Sequence, residues 1–369
     1  MKNTIILLLL IACSPQQKEE MMVPSLKWTK QEAKAWQLQT GWLVGCNFIP
    51  STAINQLEMW QAETFDLETI DKELGWASSI GFNSIRVYLH DLLWIQDAEG
   101  FLVRMEEFLS VADRHQIGVL FVLLDGVWNP EPKLGTQPLP KPFTHNSGWV
   151  QSPGKAILGD SSQWNNLEEY IKGVVSHFRN DSRIHGWDVF NEPDNKFGEI
   201  DLPNKGEMAL LLLKKSFAWA REAGSTQPLT AGIWYGSWHP DSLNAINRFM
   251  LAESDVLSFH AYGQPEASHK NIKHLFDYDR PILCTEYVAR GNNNNFETML
   301  PFFKEHRIGG YNWGLVDGKT QTIFPWDSWS KEYTGDPDLW HHDIFRNNGE
   351  PYKIEEVELI KSLTLDISE

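Results

Sequence analysis

The chain has 369 residues, of which 42% are hydrophobic and 22% are charged, so it is long enough to bury a large core. Its formal net charge is −17 at pH 7. Nucleic acids and anionic membrane surfaces are bound through basic faces, and this charge therefore argues against both as partners.

Residues 1–22 are predicted to be a targeting segment followed by a tether. Lys2 precedes a short apolar run, Ile5–Ile11, which is too short to span a bilayer. The run leads to Cys13 in a Leu-Ile-Ala-Cys box that resembles a bacterial lipoprotein cleavage site. The alternative is an ordinary secretory signal with an incidental cysteine. The resemblance implies that a lipid on Cys13 is the chain's attachment to a membrane, at the outer membrane or the cell surface.

Residues 23–369 are predicted to form one α/β domain in which β-rich runs alternate with amphipathic helices. Apolar residues at helical spacing, such as Ile70, Leu74 and Ala77, indicate the helices. The almost uninterrupted apolar run Ile117–Leu124 is typical of a parallel strand that is buried on both faces. The predicted strands are 42–48, 82–89, 117–124, 184–190, 228–234, 255–260, 281–286 and 309–314.

Eight strands alternating with eight helices predict a single (β/α)8 barrel with long loops after strands three and eight. The first of these loops, 125–163, is expected to be functional because compact domains rarely keep long loops without a use. A doubly wound open sheet is the alternative, but no glycine-rich phosphate loop follows strand one. Cys46 and Cys284 fall on strands one and seven, which are not neighbours in such a barrel, so both are predicted to be buried free thiols.

Polar and aromatic side chains follow the predicted strands at their carboxyl ends. In an α/β barrel these ends meet at the face where catalytic residues lie. Strand four ends abruptly at Asn191 and Glu192, and strand seven ends at Glu286. Two carboxylates on buried strands are costly unless they serve a function. The other residues expected at this face are Arg86 and His90 from strand two, Asp125 and Trp128 from strand three, His260 and Tyr262 from strand six, and Trp313 from strand eight.

These strand ends resemble those of clan A of the glycoside hydrolases, and most of all the cellulase-like members, family 5 and its relatives. Bacterial chains labelled cellulase-like or xylanase-like also share the sequence around strand one. Family 5 usually has a histidine after strand three, where this chain has Asp125 and Trp128, and His90 is expected to take that place. The matched residues are Asn191-Glu192-Pro193, His260-x-Tyr262, Thr285-Glu286-Tyr287 and Trp313.

The resemblance implies a retaining hydrolase of β-linked polysaccharides or oligosaccharides that needs no cofactor and no metal. Glu286 would attack the anomeric carbon, while Glu192 would protonate the leaving oxygen and later deprotonate the water. Retention places the two carboxyl groups about 5–5.5 Å apart.

The remaining candidates are expected to bind the substrate or to hold the two carboxylates. Arg86 and Tyr262 are the natural hydrogen-bond donors to the nucleophile, and Asn191 is expected to bind the sugar 2-hydroxyl. Trp313 would lie beneath the sugar ring, and Trp128 would line the cleft, since flat apolar ring faces suit sugars.

Three of these residues have an alternative, purely structural interpretation. Arg86 could neutralise a carboxylate inside the barrel, because buried arginines need a partner. Trp313 could be core packing. His260 could be a core histidine, and if functional it either orients Glu192 or binds a hydroxyl; the sequence leaves that choice open.

Two other functions remain open from the sequence. A surface glycan-binding lipoprotein on a disabled hydrolase barrel is disfavoured by the presence of both glutamates. Transglycosylation would share the covalent intermediate and differ in its acceptor. A metal at His341-His342-Asp343 is not expected, because neighbouring residues on an extended segment point to opposite faces.

Overall fold

The computed structural model describes residues 25–365, and the predicted targeting segment lies outside them. Eight parallel strands form one sheet in the order β5-β4-β3-β2-β1-β8-β7-β6. A parallel bridge between Ile233, just after β5, and Phe259 in β6 joins the two outer strands, so that the sheet closes. The predicted (β/α)8 barrel is therefore confirmed. The strands are β1 (Val44–Asn47), β2 (Ser84–Tyr88), β3 (Gly118–Val122), β4 (Ile184–Asp188), β5 (Leu229–Thr230), β6 (Leu257–Ala261), β7 (Ile282–Tyr287) and β8 (Gly309–Trp313).

The eight predicted helices are all present within residues 25–365, and three further helices were not predicted. Helix α3 buries the apolar stripe that indicated it, namely Ile70, Leu74 and Ala77. The helices are α1 (Lys30–Thr40), α2 (Gln56–Trp60), α3 (Leu67–Ser79), α4 (Asp91–Arg114), α5 (Lys155–Leu158), α6 (Asn165–His177), α7 (Lys205–Glu222), α8 (Ala245–Glu253), α9 (Pro265–Lys273), α10 (Phe296–His306) and α11 (Ile354–Thr364).

Helix α1, which the sequence analysis did not predict, lies across the amino-terminal end of the barrel. It begins with a capping box in which Thr29 and Glu32 satisfy each other's backbone N–H groups. Trp36 packs against the buried side chains at that end and donates its indole N–H to the carbonyl of His185 at 3.1 Å. The helix thus covers part of the amino-terminal end of the barrel.

Both remaining cysteines belong to the large buried cluster that also contains Ile70 and Leu74 of α3. Cys46 and Cys284 are buried and unpaired, as predicted. Within residues 25–365, each helix is too short or too polar to cross a bilayer.

The loops after β3 and β8 cover the carboxyl end of the barrel and are hydrogen-bonded to each other. The backbone N–H of Asn146 donates to the carbonyl of Thr320 at 2.8 Å, and that of His145 donates to the Ser328 hydroxyl at 3.0 Å. The indole of Trp329 donates to the carbonyl of His145 at 2.8 Å. Two segments far apart in sequence therefore form one roof over the strand ends.

Candidate active site

Glu192 and Glu286 face each other at the carboxyl end of the barrel. Oxygens of both carboxylates and a ring nitrogen of His260 all lie within 4.8 Å of one another. Both glutamates are buried, with 7% and 5% of their surface exposed. The two carboxylates are therefore close enough to contact one and the same bound group.

The backbone around each glutamate is irregular. The register of β7 shifts against both neighbouring strands near Glu286, which is how bulges re-aim side chains beside active sites. Glu192 has a φ of +39°, a conformation that non-glycine residues seldom adopt and that is concentrated at functional sites. Gly126 lies so close that a Cβ there would meet the carbonyl oxygen of Glu192 at 2.3 Å. Only glycine fits this approach of the β3 loop to the acid.

The carboxylate of Glu286 accepts three hydrogen bonds. Its Oε1 accepts from Nη1 of Arg86 at 3.0 Å and from the hydroxyl of Tyr88 at 2.8 Å. Its Oε2 accepts from the hydroxyl of Tyr262 at 2.8 Å. The two predicted donors, Arg86 and Tyr262, are thus both in place. Tyr88 was missed, although it lies two residues after Arg86 on the same strand and therefore on the same face.

Arg86 is fully buried and connects Glu286 to the barrel interior. Its guanidinium donates to Asp188 at 2.8 Å, to the amide oxygen of Asn191 at 2.7 Å and to that of Asn47 at 2.7 Å. Burial alone lowers the pKa of Arg86, but nearby Tyr88, Asp188 and Glu286 raise it above its usual value. Arg86 therefore fits both interpretations given above, because it pairs with an interior carboxylate, Asp188, and also donates to the candidate nucleophile, Glu286.

Glu192 is held by two side chains that are not among the hydrogen-bond donors to Glu286. Its Oε1 lies 2.6 Å from Nδ1 of His260, and its Oε2 accepts from the amide of Asn195 at 2.6 Å. His260 is 4% exposed and is not among the residues that line the cleft. Burial lowers the pKa of His260, but the charge of Glu286 and the bond to Glu192 outweigh it and raise that pKa. Of the two roles left open, the geometry favours orientation of Glu192.

Asn191 is fixed at both ends of its amide. The oxygen accepts from Arg86, and the nitrogen donates one hydrogen to Oδ1 of Asp125 at 2.9 Å. Asp125 also accepts from the indole of Trp149 at 2.6 Å, and burial raises its pKa to about 7. An amide nitrogen carries two hydrogens, so Asn191 keeps one for a hydroxyl in the cleft.

The two glutamates open onto a cleft of about 280 Å³ with aromatic walls. Trp313, 9% exposed, and Trp128 both line it, as predicted. Trp128 stacks on Trp329 with ring centroids 5.3 Å apart. The lining residues are Val127, Trp128, His145, Asn146, Asn191, Glu192, Asn195, Trp234, Tyr262, Glu286, Trp313, Trp326 and His342.

The structure places His90 away from this cleft. Its side chain is fully buried and caps helix α4, where Nδ1 accepts from the backbone N–H of Leu92 at 3.2 Å. His90 follows β2 directly, but the chain turns into α4 at that residue. His90 is therefore not among the residues that line the cleft, contrary to the expectation from the sequence.

A buried ion pair supports the loop that carries Trp128. Lys205 is fully buried, donates to the carbonyl of Gly126 at 2.7 Å and pairs with Asp201 at 2.8 Å. The amide of Gln151 joins Asp201 to the carbonyl of Trp128. The loop after β3 is thus fixed to the start of α7.

Lys205→Met is expected to lower the free energy of unfolding by about 3–5 kcal/mol, because it leaves Asp201 buried without its partner. Chemical denaturation of the purified protein measures this. Lys215→Met, at an exposed position of the same helix, is the matched control and should change stability by less than about 0.5 kcal/mol. Equal effects of the two changes would contradict a supporting role for the pair.

His341 and His342 do not point to opposite faces, and that expectation is wrong. Both are buried, and both contact the ring of Trp326, with centroids 4.5 and 5.8 Å away. The reason is that the segment is not an extended strand. The guanidinium of Arg290 donates to the carbonyls of residues 340, 342 and 343, and the segment curves around that side chain. Burial lowers the pKa of His341 to about 3, so it is neutral.

Within residues 25–365, one group of side chains has the spacing of metal ligands, namely Glu192, His260 and Glu286. Its chemistry does not fit a cation. Glu286 already accepts from three donors, and one of them is the permanent positive charge of Arg86.

No family model and no curated protein sequence matches the chain. Its structure is similar to that of a GH5_18 enzyme from Streptomyces cattleya in complex with Manβ1-4GlcNAc, with a TM-score of 0.56 and 13% identity over 88% of this chain and 80% of that chain. The chain has the barrel fold of family 5 glycoside hydrolases. This confirms the resemblance at the level of the fold.

Two further solved structures show the same similarity. A β-1,4-mannanase from the sea hare Aplysia kurodai has a TM-score of 0.55 and 16% identity over 74% of this chain and 87% of that chain. An endo-1,4-β-D-mannanase from Thermotoga petrophila has a TM-score of 0.54 and 15% identity over 88% of this chain and 99% of that chain. The shared fold spans nearly the whole of the Thermotoga protein.

Proposed function

We propose that the protein is a retaining β-glycoside hydrolase. One observation carries the proposal: two buried glutamates lie within 4.8 Å of each other at the floor of an aromatic cleft, each with its own set of partners. Glu286 is surrounded by hydrogen-bond donors, whereas Glu192 is paired with a histidine. Such a division of environments gives two carboxylates different roles.

In the first half of the reaction, Oε2 or Oε1 of Glu286 attacks the anomeric carbon and forms a glycosyl ester. The bond from that carbon to the leaving oxygen breaks, and Glu192 gives its proton to that oxygen. Arg86, Tyr88 and Tyr262 hold the attacking carboxylate in one orientation.

In the second half, Glu192 takes a proton from water, the water oxygen attacks the anomeric carbon, and the ester to Glu286 breaks. His260 and Asn195 keep the carboxylate of Glu192 in place through both steps. Glu192 ends protonated and Glu286 ionised, as they began.

The substrate is proposed to be a β-linked oligosaccharide or polysaccharide of neutral sugars. The free amide hydrogen of Asn191 is placed for a sugar hydroxyl, and Trp313 and Trp128 offer apolar ring faces. The solved structures of similar fold include β-1,4-mannanases and an enzyme in complex with Manβ1-4GlcNAc. We therefore place β-mannosides first among the substrates to be tried.

We also propose that the protein is a lipid-anchored, extracytoplasmic lipoprotein, on the basis of Lys2, the apolar run and Cys13. Cys13→Ser should abolish incorporation of labelled palmitate and move the protein from the membrane to the soluble fraction of the expressing bacterium. Unchanged labelling of the variant would contradict the anchor.

The activity is tested by incubating the purified protein with 4-nitrophenyl β-mannoside, β-glucoside, β-galactoside and β-xyloside and with the matching polysaccharides. Release of sugar with retained anomeric configuration, followed by NMR, is the expected result. If no substrate were cut while Glu286→Gln and the wild type bound a glycan equally well, the protein would be a glycan-binding barrel instead.

Tyr88→Phe is expected to lower kcat/KM about tenfold to hundredfold, since it removes one of the three donors to Glu286 without changing the shape of the cleft. Initial rates on the best aryl glycoside measure the loss. Tyr278→Phe removes the same hydroxyl at a site far from the cleft and should leave the rate unchanged. A wild-type rate in Tyr88→Phe would show that this donor has no part in the reaction.

A further inference from the structure

We propose that the cleft is a pocket closed at one end, which takes the terminal sugar of a glycan so that single sugars are released from the non-reducing end. The inference deepens the proposed function and rests on it. It concerns which part of the glycan the cleft can hold.

The two glutamates define the direction in which a glycan lies. Glu192 protonates the leaving oxygen, so the leaving part of the substrate extends on its side of the cleft. The sugar that is attacked lies over Glu286, next to Tyr88 and Trp313. Any further sugar on the non-reducing side would have to extend beyond these two rings, toward β1, β2 and β8.

The space beyond these two rings is nearly filled. Its volume is about 10 Å³, which is room for at most about one water molecule. Tyr88, Trp149 and Trp313 form a compact triad there, with ring centroids 5.2, 5.7 and 5.8 Å apart. A second sugar ring does not fit in this direction.

The triad of Tyr88, Trp149 and Trp313 forms the wall of the cleft at this end, and the two long loops after β3 and β8 pack behind it. Asn146 lines both the cleft and the small space behind it, and its backbone N–H is bonded to the carbonyl of Thr320 in the loop after β8. The indole of Trp149 is fixed on Asp125. Closure at this end is therefore part of the packed structure and does not depend on a single side chain.

The wall also carries a polar atom suited to a terminal hydroxyl. The amide oxygen Oδ1 of Asn146 is buried and has no hydrogen-bond partner among residues 25–365. A buried acceptor without a partner costs about 1–3 kcal/mol, and a sugar hydroxyl in the cleft would satisfy it. A terminal sugar has one more free hydroxyl than an internal one, and that hydroxyl can donate a hydrogen bond to Oδ1 of Asn146.

The opposite end of the cleft leads to exposed aromatic surface. Asn195 and Trp234 line the cleft on that side. The ring of Tyr235 lies 5.4 Å from that of Trp234 and is 66% exposed. The leaving part of the glycan can extend across these rings, so a long chain enters with its end first.

The test uses the full-length protein and two probes with the same leaving group, a 4-nitrophenyl β-monosaccharide and the corresponding 4-nitrophenyl β-1,4-disaccharide. With the disaccharide, free monosaccharide should appear first and nitrophenol only after a lag. Immediate nitrophenol together with an intact disaccharide would overturn the closed pocket and leave the proposed function standing. Cleavage of a polysaccharide but of neither probe would also overturn the closed pocket alone, whereas failure to cut any aryl glycoside or polysaccharide would overturn the proposed function and this inference with it.

Asn146→Gly tests the acceptor in the wall. Asn146 has a φ of +45°, which glycine adopts without strain, so the fold should be kept. We expect kcat/KM on the aryl monosaccharide to fall about tenfold. Asn293→Gly, at an exposed residue with a φ of +56° outside the cleft, is the matched control and should leave the rate unchanged. A wild-type rate in Asn146→Gly would remove Asn146 from the recognition of the terminal sugar.

Discussion

Glu286→Gln is expected to lower kcat on every cleaved substrate on the order of 10⁵-fold, with little change in folding stability. The amide keeps the shape of the carboxylate but cannot form the glycosyl ester. Its oxygen can still accept from Arg86 and Tyr88, and its N–H can donate to the hydroxyl of Tyr262, which accepts as well as donates. Initial rates and thermal unfolding, measured together, separate loss of chemistry from loss of fold.

The nature of the step is tested by replacing the lost nucleophile from solution. Glu286→Ala leaves room beside the anomeric carbon, and azide should restore turnover of an aryl glycoside by direct displacement, giving a glycosyl azide of inverted configuration. Glu297→Gln, in the exposed first turn of α10, makes the same chemical change elsewhere and should be fully active. A Glu286→Gln variant with more than about one per cent of wild-type kcat would remove Glu286 from the covalent step.

The barrel was predictable because each strand is a short, strongly apolar run between amphipathic helices. In a parallel barrel a strand is buried on both faces, so its sequence consists mostly of apolar residues. The predicted run Ile117–Leu124 contains the whole of β3, and the predicted strand at 184–190 contains the whole of β4. Helix α1 was missed because it buries Ala33 alone, and helices α2 and α5 were missed because they are only 5 and 4 residues long, too short for a helical repeat of apolar residues.

The site was predictable as far as it lies at strand ends. Glu192, Glu286, Arg86 and Tyr262 each lie in or just after a recognisable strand, and the closed barrel brings them together. Asp188 was missed because the sequence does not show which residue an acidic side chain within a strand will pair with. Its partner is Arg86, 102 residues earlier in the chain.

Contacts between loops could not be derived from the sequence. The roof over the cleft depends on hydrogen bonds such as that from Asn146 to Thr320, which join segments whose mutual position follows only from the folded barrel. The same holds for His90, whose place after β2 suggested the cleft. The start of helix α4 at the next residue turns it inward as a cap. Local sequence specifies that a helix begins there, but not which way its first side chain faces.

Glu192→Ala is expected to show a loss of activity that depends on the leaving group. On an unactivated disaccharide kcat/KM should fall by about 10²–10⁴-fold, because the departing oxygen receives no proton. On an aryl glycoside with a good leaving group, formation of the glycosyl ester should be nearly unaffected, since nitrophenolate departs without protonation. The ester on Glu286 should then accumulate, because no base activates the water, and mass spectrometry of the intact protein detects it.

Azide distinguishes this role from that of Glu286. In Glu192→Ala the ester still forms, so azide should attack it in the second step and give a glycosyl azide of retained configuration, the opposite of the outcome in Glu286→Ala. Asn195→Ala, which removes a neighbour of Glu192 but not the acid itself, should retain wild-type stereochemistry and need no azide. If Glu192→Ala cut an unactivated glycan at the wild-type rate, the proton would come from another group. His260, 2.6 Å from Glu192, would be the next to test.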